Sequence, residues 1–300
     1  MKPTSISKNM CTDLTTTGWE DYELIDSGGF RKLERFGNHQ LIRNEPAAEW
    51  HPALPQSRWD QANATFTLNK GQSNGIWHIK ENTPRDWVIR YKNLSFNLFL
   101  AKSRHIGIFP EQHLQWDWVM NKIGKSARQL SVLNLFGYTG AATLAAVKSG
   151  ALVTHVDASR SAVERAKGNY HSSGFSEQPI RWLIDDAHKF VQREIRRGKH
   201  YDAIIMDPPN FGRGPGGEVW KFEKMISVLL FSSIQILSEN PAFVILTAYN
   251  VDHPSSELGV WLADIMNSFH GKTTNGNLIQ QEKSAGRKIH QAIYALWENN

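Results

Sequence analysis

Residues 131–140 have the sequence SVLNLFGYTG, a short apolar strand that runs into a tight turn with two glycines. A helix rich in small residues follows, AATLAAV at 141–147. Gly137 and Gly140 allow the main chain to turn sharply and to approach a ligand closely, because glycine has no Cβ. The start of the helix offers unpaired N–H groups. This layout is typical of sites for an adenosine-bearing cofactor, although two glycines after a strand also occur in α/β proteins that bind no ligand.

The alternation of strand and helix continues to the C-terminus. Apolar strands are predicted at 152–157, 180–185, 201–207 and 242–249, with helices at 159–171, 187–197, 219–238 and 255–269. The chain closes with strands at 277–283 and 288–297 around a hairpin turn. We therefore predict an α/β fold, a doubly wound, Rossmann-like sheet of seven strands whose last strand is antiparallel.

The N-terminal third has a different pattern. Short strand-like runs separated by Gly, Pro and Asn turns predict a small β-rich N-terminal domain at residues 18–101, before the main domain at 102–300. Residues 1–17 are polar and are expected to form a disordered tail. The sequence of the N-terminal domain does not indicate its function.

Composition excludes several classes of protein. The chain has 300 residues, 40% of them hydrophobic, without an apolar run that could span a bilayer or a signal-peptide core. Its single cysteine, Cys11, excludes an intramolecular disulfide and a cysteine-based metal site, and no histidines have metal-ligand spacing. We expect a cytoplasmic protein without a membrane or metal partner. The net charge of +5 permits a polyanionic partner without requiring one.

Acidic residues end three successive strands of the predicted sheet. The strand ends are Asp157-Ala158-Ser159, Asp185-Asp186-Ala187 and Asp207-Pro208-Pro209-Asn210. An acid roughly 20 residues after the glycines suits the ribose hydroxyls of an adenosine, and an acid at the third strand suits the adenine amine. Taken singly, Asp157 or Asp186 would be interpreted as a helix N-cap, whereas the ordered set of acids favours a ligand site. Two glycines rather than three, together with Asp-Pro-Pro, favour S-adenosylmethionine over a nicotinamide cofactor.

These motifs resemble those of the class I S-adenosylmethionine-dependent methyltransferases. The similarity covers roughly residues 104–297 and is carried by HIGIFPEQ, VLNLFGYTG, VTHVDAS, IDDA and IIMDPPNFGRG. Within the class, the sequence is most similar to the bacterial 23S ribosomal RNA group that includes 5-methylcytosine and 7-methylguanine enzymes.

The resemblance implies a set of cofactor contacts. Residues 136–140 would hold the methionine end, Asp157 with its neighbours the ribose, Asp186 and Ala187 the adenine, and Asp207 with Pro208 the methyl group. Phe109 and Gln112 would pack over the cofactor. The predicted cofactor-binding residues are Phe109, Gln112, Phe136, Gly137, Tyr138, Thr139, Gly140, Asp157, Ala158, Ser159, Asp186, Ala187 and Asp207.

The position of the only cysteine bears on which substrate atom can be methylated. Carbon methylation of cytosine needs a thiolate nucleophile, which that branch of the group carries at the end of the fifth strand. Here that place has the sequence LTAYN, at 246–250. We therefore predict direct transfer to a nitrogen, with Asp207, Pro208 and Asn210 as catalytic residues. Enzymes that methylate exocyclic amines usually have an aromatic residue where Asn210 stands, so either Phe211 stacks on the substrate or the acceptor is a ring nitrogen.

Basic residues near the cofactor edge are the candidates for substrate contacts. Arg213 lies in the glycine-rich loop 212–217, which is either a lid or an inert loop. Topology places the turn of the last hairpin on the cofactor face, so Lys283, Arg287 and Lys288 are predicted to contact phosphate. Phe211, in the loop after Asp207, is predicted to contact the base. The expected partner is ribosomal RNA. A protein side chain or small molecule as acceptor, and a noncatalytic RNA-binding protein that retains the pocket, remain alternatives, and the sequence does not indicate the oligomeric state.

Overall fold

The structure is a computed structural model that describes residues 10–69, 74–176 and 179–300. In chain order its strands are β1 (Met10–Cys11), β2 (Leu14–Thr16), β3 (Tyr22–Gly28), β4 (Arg31–Phe36), β5 (His39–Asn44), β6 (Ala64–Leu68), β7 (Gly75–Ile79), β8 (Asp86–Tyr91), β9 (Leu94–Phe99), β10 (Ser131–Leu135), β11 (Leu152–Asp157), β12 (Ile180–Ile184), β13 (Ala203–Met206), β14 (Phe211–Arg213), β15 (Val219–Lys221), β16 (Phe243–Ala248), β17 (Gly271–Gln281) and β18 (Lys288–Asn299). The helices are α1 (Gln56–Trp59), α2 (His113–Gly124), α3 (Ala141–Lys148), α4 (Arg160–Ser172), α5 (Ala187–Arg196), α6 (Phe222–Ile234) and α7 (Ser255–Ile265), with a 3₁₀ turn, Pro110–Gln112, before α2.

The largest sheet has the order β17-β18-β16-β13-β10-β11-β12. Strands β10, β11, β12, β13 and β16 are parallel to their neighbours in this group, and β18 is antiparallel to both β16 and β17. Every residue of β13 and β16 is buried, as expected for central strands covered by helices on both faces. This arrangement confirms the predicted doubly wound α/β fold with its antiparallel last strand.

The N-terminal segment joins the edge of this sheet. Strands β1 and β2 both pair in parallel with β17. The His113 imidazole lies 3.0 Å from the carbonyl oxygen of Thr17, which fixes the end of the segment against α2. The prediction of a disordered tail is therefore wrong for residues 10–17, because hydrogen bonds to a distant strand order a segment with no strong local preference. Residues 1–9 lie outside the described residues.

A second, β-rich layer precedes the large sheet. Strands β3 to β7 form one sheet in sequence order, and β8 pairs with β9. Several tryptophans of this region are buried: Trp19, for example, packs against Tyr91 and Trp116, with ring centroids 4.9 and 5.9 Å apart. Trp116 lies on α2, so this aromatic cluster connects the β-rich layer with the first helix of the large sheet.

The loop after β13 is more regular than the sequence predicts. Strands β14 and β15 pair as an antiparallel hairpin, with Phe211 opposite Lys221. The helix predicted from residue 219 consequently begins at Phe222. Among the described residues, no helix is both long and apolar enough to cross a bilayer.

Candidate active site

The turn after β10 closes against the end of β11. Phe136, Tyr138 and Gly140 all have positive φ, of 55°, 48° and 87°. A Cβ at Gly137 would lie 2.4 Å from the His155 ring, so glycine is required there by packing against a neighbouring strand. The Thr139 hydroxyl donates a 2.6 Å hydrogen bond to the Gly107 carbonyl oxygen, which fixes the turn on its outer side. The turn is therefore held in one strained conformation from both sides.

Asp157, at the end of β11, fastens this turn to the next strand. Its carboxylate accepts hydrogen bonds of 2.8 Å from the backbone N–H groups of Tyr138 and Ser159. Burial raises the pKa of the Asp157 carboxyl, and the two N–H groups act in the opposite direction. The Ser159 hydroxyl accepts from the Ala162 N–H and caps α4. Asp157 is thus a structural anchor whose carboxylate also lines the cavity described below.

Asp186, at the end of the third strand, combines both predicted roles. Its Oδ1 accepts a 2.9 Å hydrogen bond from the Lys189 N–H and caps α5. Asp186 and Ala187 also line the cavity. Asp186 can cap α5 and contact a ligand at the same time, because the cap uses only one of its two carboxylate oxygens.

Asp207 ends β13 and is held by the segment that precedes α2. Gln112 Nε2 donates hydrogen bonds to Asp207 Oδ2 at 2.7 Å and to the Tyr249 hydroxyl oxygen at 3.1 Å. The Phe109 ring packs against Tyr249 and Tyr138, with centroids 5.1 and 5.6 Å away. Burial raises the pKa of the Asp207 carboxyl to about 7, the hydrogen bond from Gln112 opposes this, and the charges of Glu111 and Asp157 add to it.

The Pro-Pro loop after Asp207 is fastened by its backbone and by its last residue. The Pro209 carbonyl oxygen accepts a 2.6 Å hydrogen bond from the Trp220 indole N–H. Asn210 Nδ2 donates to the Asn250 carbonyl oxygen at 2.7 Å. Since this amide is engaged with the loop after β16, Phe211 is the residue that presents a free ring, 56% exposed, at the cavity.

The strand ends face a cavity of about 840 Å³. One wall is formed by the turn after β10, the three acidic strand ends and the β14–β15 hairpin. The opposite wall is formed by the end of β5 and the segment after β9, and the last hairpin adds His290 and Gln291. The cavity is within the range of small-molecule sites, which span about 300–1,000 Å³.

A family model described as S-adenosylmethionine-dependent methyltransferase matches residues 68–229, more than half of the chain. The chain belongs to this family. A crystal structure titled as the SAM-dependent methyltransferase from Agrobacterium tumefaciens is 37% identical, with a TM-score of 0.93 over 99% of this chain and 97% of that one. The predicted methyltransferase class and its cofactor, S-adenosylmethionine, are confirmed at the level of the family.

Curated relatives of this methyltransferase carry ribosomal RNA names. Ribosomal RNA large subunit methyltransferase K of Neisseria meningitidis serogroup B is 30% identical over 47% of this chain and 36% of its own length. Methyltransferase I of Photobacterium profundum is 35% identical over 56% of this chain and 41% of its own length. The chain therefore spans well under half the length of these relatives. The predicted similarity to the ribosomal RNA group is confirmed.

The methyltransferase cavity collects most of the predicted site residues, together with several that sequence reasoning missed. Every predicted cofactor residue lines it or the small recess of about 40 Å³ behind it, as do Asn210, Phe211 and Arg213. Tyr249 and Glu111 were missed, although both lie within quoted stretches, LTAYN at 246–250 and HIGIFPEQ at 105–112. Lys32 and Arg43 carry no local signal, because only the packing of the N-terminal layer brings them to the cavity. Arg104 and His105 lie at the start of the stretch that carries the family resemblance, but no role was predicted for them.

The structure places the last hairpin, which carries the predicted phosphate contacts, against the N-terminal layer. Lys283, Arg287 and Lys288 do not line the methyltransferase cavity. The turn packs against β3, where the Lys283 N–H donates to the Leu24 carbonyl oxygen at 2.9 Å. Arg287 is ion-paired with Asp26 at 3.1 Å and also with Glu282. The Arg287 side chain is thus occupied by carboxylates, whereas Lys283 and Lys288 are exposed, and their contact with phosphate stays a prediction.

Proposed function

We propose that this protein transfers the methyl group of S-adenosylmethionine to a nitrogen atom of ribosomal RNA in the cytoplasm, by direct transfer without a cysteine nucleophile. The observation that carries the proposal is the Asp207 carboxyl, half-buried at the cavity wall and hydrogen-bonded to Gln112. When bound, S-adenosylmethionine supplies an electrophilic methyl group on a positively charged sulfur. Burial disfavours the ionised form of the Asp207 carboxyl, and a nearby positive charge favours it. The site is therefore suited to the positively charged sulfur of the cofactor.

The remaining lining residues fit the other parts of the cofactor. Carboxylates accept hydrogen bonds from hydroxyl and amino groups, and Asp157 and Asp186 present them at two adjacent strand ends. The turn at 136–140 would hold the methionine end, and the rings of Phe109 and Tyr138, which pack against each other beside it, would shield the cofactor from water. These residues bind and orient the cofactor, and orientation with exclusion of water is the main source of rate in a direct transfer.

Transfer to nitrogen is favoured over transfer to carbon by the residues at the end of β16. The side chains there are those of Thr247, Ala248 and Tyr249, and the only cysteine of the chain, Cys11, is an exposed residue of β1. A nitrogen lone pair can displace the sulfur without covalent activation. Asp207 would orient the acceptor and accept a hydrogen bond from it, and Phe211 is placed to stack on its ring.

An RNA acceptor is supported by the names of the relatives and by the cavity rim, where an exposed aromatic ring stands beside Arg213. Single-stranded bases are commonly recognised by stacking on aromatic side chains beside a cation. The two competing acceptors, a protein side chain and a small molecule, have no comparable support.

The proposal is tested by nucleoside mass spectrometry of ribosomal RNA from cells with and without the gene. One methylated nucleoside should be lost on deletion and restored by the wild-type gene. An Asp207→Ala gene should not restore it, because turnover is expected to fall about 100-fold or more. An unchanged nucleoside profile would remove ribosomal RNA as substrate, and restoration by the Asp207→Ala gene would remove the role of Asp207.

A further inference from the structure

The part of the cavity lining that comes from the N-terminal part of the chain carries three cations, Lys32, Arg43 and Arg104, together with the carboxylic acids Glu45 and Glu111. The strand-end wall is acidic, with Asp157, Asp186 and Asp207. Cations outnumber carboxyl groups only on the N-terminal part of the lining, which is therefore the more favourable place for an anionic part of a ligand.

Two of these cations are already neutralised by neighbouring carboxylates. Arg43 donates hydrogen bonds from Nε and Nη2 to the Glu34 carboxylate, at 2.7 and 2.8 Å. Lys32 Nζ lies 3.5 Å from both Glu34 and Glu45 and donates to Gln280 at 3.1 Å. Lys32 and Arg43 are buried, so both serve the packing of the two layers.

Arg104 differs from the other two. Its Nη1 donates a 3.1 Å hydrogen bond to the Asn44 carbonyl oxygen, and across the parts of the chain that the structure describes it forms no ion pair with a carboxylate. Its own carbonyl oxygen accepts from Arg43 Nη1 at 3.2 Å, which fixes its backbone beside β5. Burial lowers the pKa of Arg104, the negative charge of Glu45 acts in the opposite direction, and the positive charge of Arg43 adds to the lowering. Arg104 is thus a half-buried, positioned cation at the cavity, and none of the described carboxylates is in direct contact with its guanidinium.

We infer that Arg104 binds a phosphate group of the RNA acceptor on the N-terminal wall of the cavity. The inference rests on the proposed RNA substrate and adds a contact from outside the family's strand-end motifs. A guanidinium presents a planar fork of donors that matches two phosphate oxygens, and it keeps its charge when partly buried. The neighbouring imidazole of His105 is neutral, because burial and the nearby cations lower its pKa to about 4, so it adds no repulsion to Arg104.

The test measures equilibrium binding of an unmodified 23S ribosomal RNA transcript to the full chain with S-adenosylhomocysteine present, over a series of salt concentrations. Arg104→Gln should weaken binding about tenfold and reduce the salt slope by about 0.7, the effect of one lost phosphate contact on a single strand. Arg104→Lys should lie between wild type and Arg104→Gln, because it keeps the charge and loses the fork. Arg196→Gln, which removes the same charge from the exposed end of α5, is the matched control and should leave binding unchanged.

A second arm measures S-adenosylmethionine affinity and thermal unfolding of each variant. If the anion bound by Arg104 is the cofactor's methionine carboxylate, Arg104→Gln will lose cofactor affinity, and the inference is overturned. It is also overturned if Arg104→Gln binds RNA with wild-type affinity and salt slope, or if wild type does not bind the transcript. RNA binding that depends on Arg104 without methyl incorporation would instead overturn the proposed function and leave the inference standing.

Discussion

At the scale of single residues, the ionisation of Asp207 links the fold to the chemistry. A carboxyl with a pKa of about 7 is half protonated near neutral pH, so its charge depends on the ligand that occupies the cavity. The protonated form cannot attract a sulfonium, whereas the ionised form can. Affinity for S-adenosylmethionine should therefore report the titration of this group.

We expect S-adenosylmethionine affinity to rise with pH and to level off above about 7, where Asp207 is ionised in the free protein. Below that value, affinity should fall by up to about tenfold per pH unit, as for a single linked proton. S-adenosylhomocysteine shares the amino and carboxyl groups but has a neutral sulfur, so its pH dependence is the control. Asp207→Asn should remove the difference between the two ligands in calorimetric titrations; a difference that persists would contradict the assignment.

Asp157 should be essential for cofactor affinity for a structural as well as a chemical reason. Asp157→Ala removes the acceptor of two backbone N–H groups and a predicted partner of the ribose, so affinity for S-adenosylmethionine should fall about 10- to 100-fold. Asp264→Ala, an exposed site on α7, is the matched control. Unchanged calorimetric affinity in Asp157→Ala would show that neither role matters.

At the scale of elements, two features show how pairing modifies local preference. The helix predicted from residue 219 begins three residues later, because Val219–Lys221 pairs with Phe211–Arg213. Likewise the turn at 136–140 needs Gly137 for its distance from His155, although the sequence suggested a ligand as the reason. In both cases the identity of the element was predictable and its packing partner was not.

Gly137→Ala should displace the turn, since its Cβ would overlap the buried His155 ring. We expect a loss of about 1–3 kcal/mol in the free energy of unfolding and weaker cofactor binding. Gly124→Ala is the matched control, because Gly124 ends α2 and no atom of the described residues lies within 4 Å of the added Cβ. Denaturant titrations and calorimetry of both variants provide the measurement, and equal behaviour of the two would contradict the packing argument.

At the scale of the whole molecule, a buried polar network joins the N-terminal layer to the methyltransferase sheet. Glu34 accepts from Arg43 and from the Tyr22 hydroxyl, Lys32 donates to Gln280, and Gln280 donates to Glu111 at 2.8 Å. The network ends beside Gln112, which holds Asp207. The N-terminal layer therefore supports the position of the loop that we propose to be catalytic.

Glu34→Gln should leave the buried charges of Arg43 and Lys32 poorly compensated. We expect a loss of about 3 kcal/mol in the free energy of unfolding. The pKa of Glu34 is lowered by Arg43 and Lys32 against the effect of burial, so its stabilising contribution is present above the ordinary pKa of 4.5 and is lost as pH falls through the lower folded value. The difference between wild type and Glu34→Gln should therefore shrink in acid. Glu81→Gln, an exposed change, is the control, and wild-type stability of Glu34→Gln would contradict the argument.

The sequence by itself determined the α/β alternation, the strand-end acids and the absence of a cysteine nucleophile at β16. These depend on local periodicity and on the rule that parallel strands present their carboxyl ends on one edge. Tertiary structure alone decided the rest: the order of residues 10–17, the carboxylates that occupy Arg287, and the wall that brings Arg104 to the cavity. Such contacts join residues far apart in the chain. The local sequence around a charged residue does not indicate whether its side chain is ion-paired. The glycine turn at 136–140 is thus readable as a cofactor loop from sequence, while the charges that face it are set by the packing of the two layers.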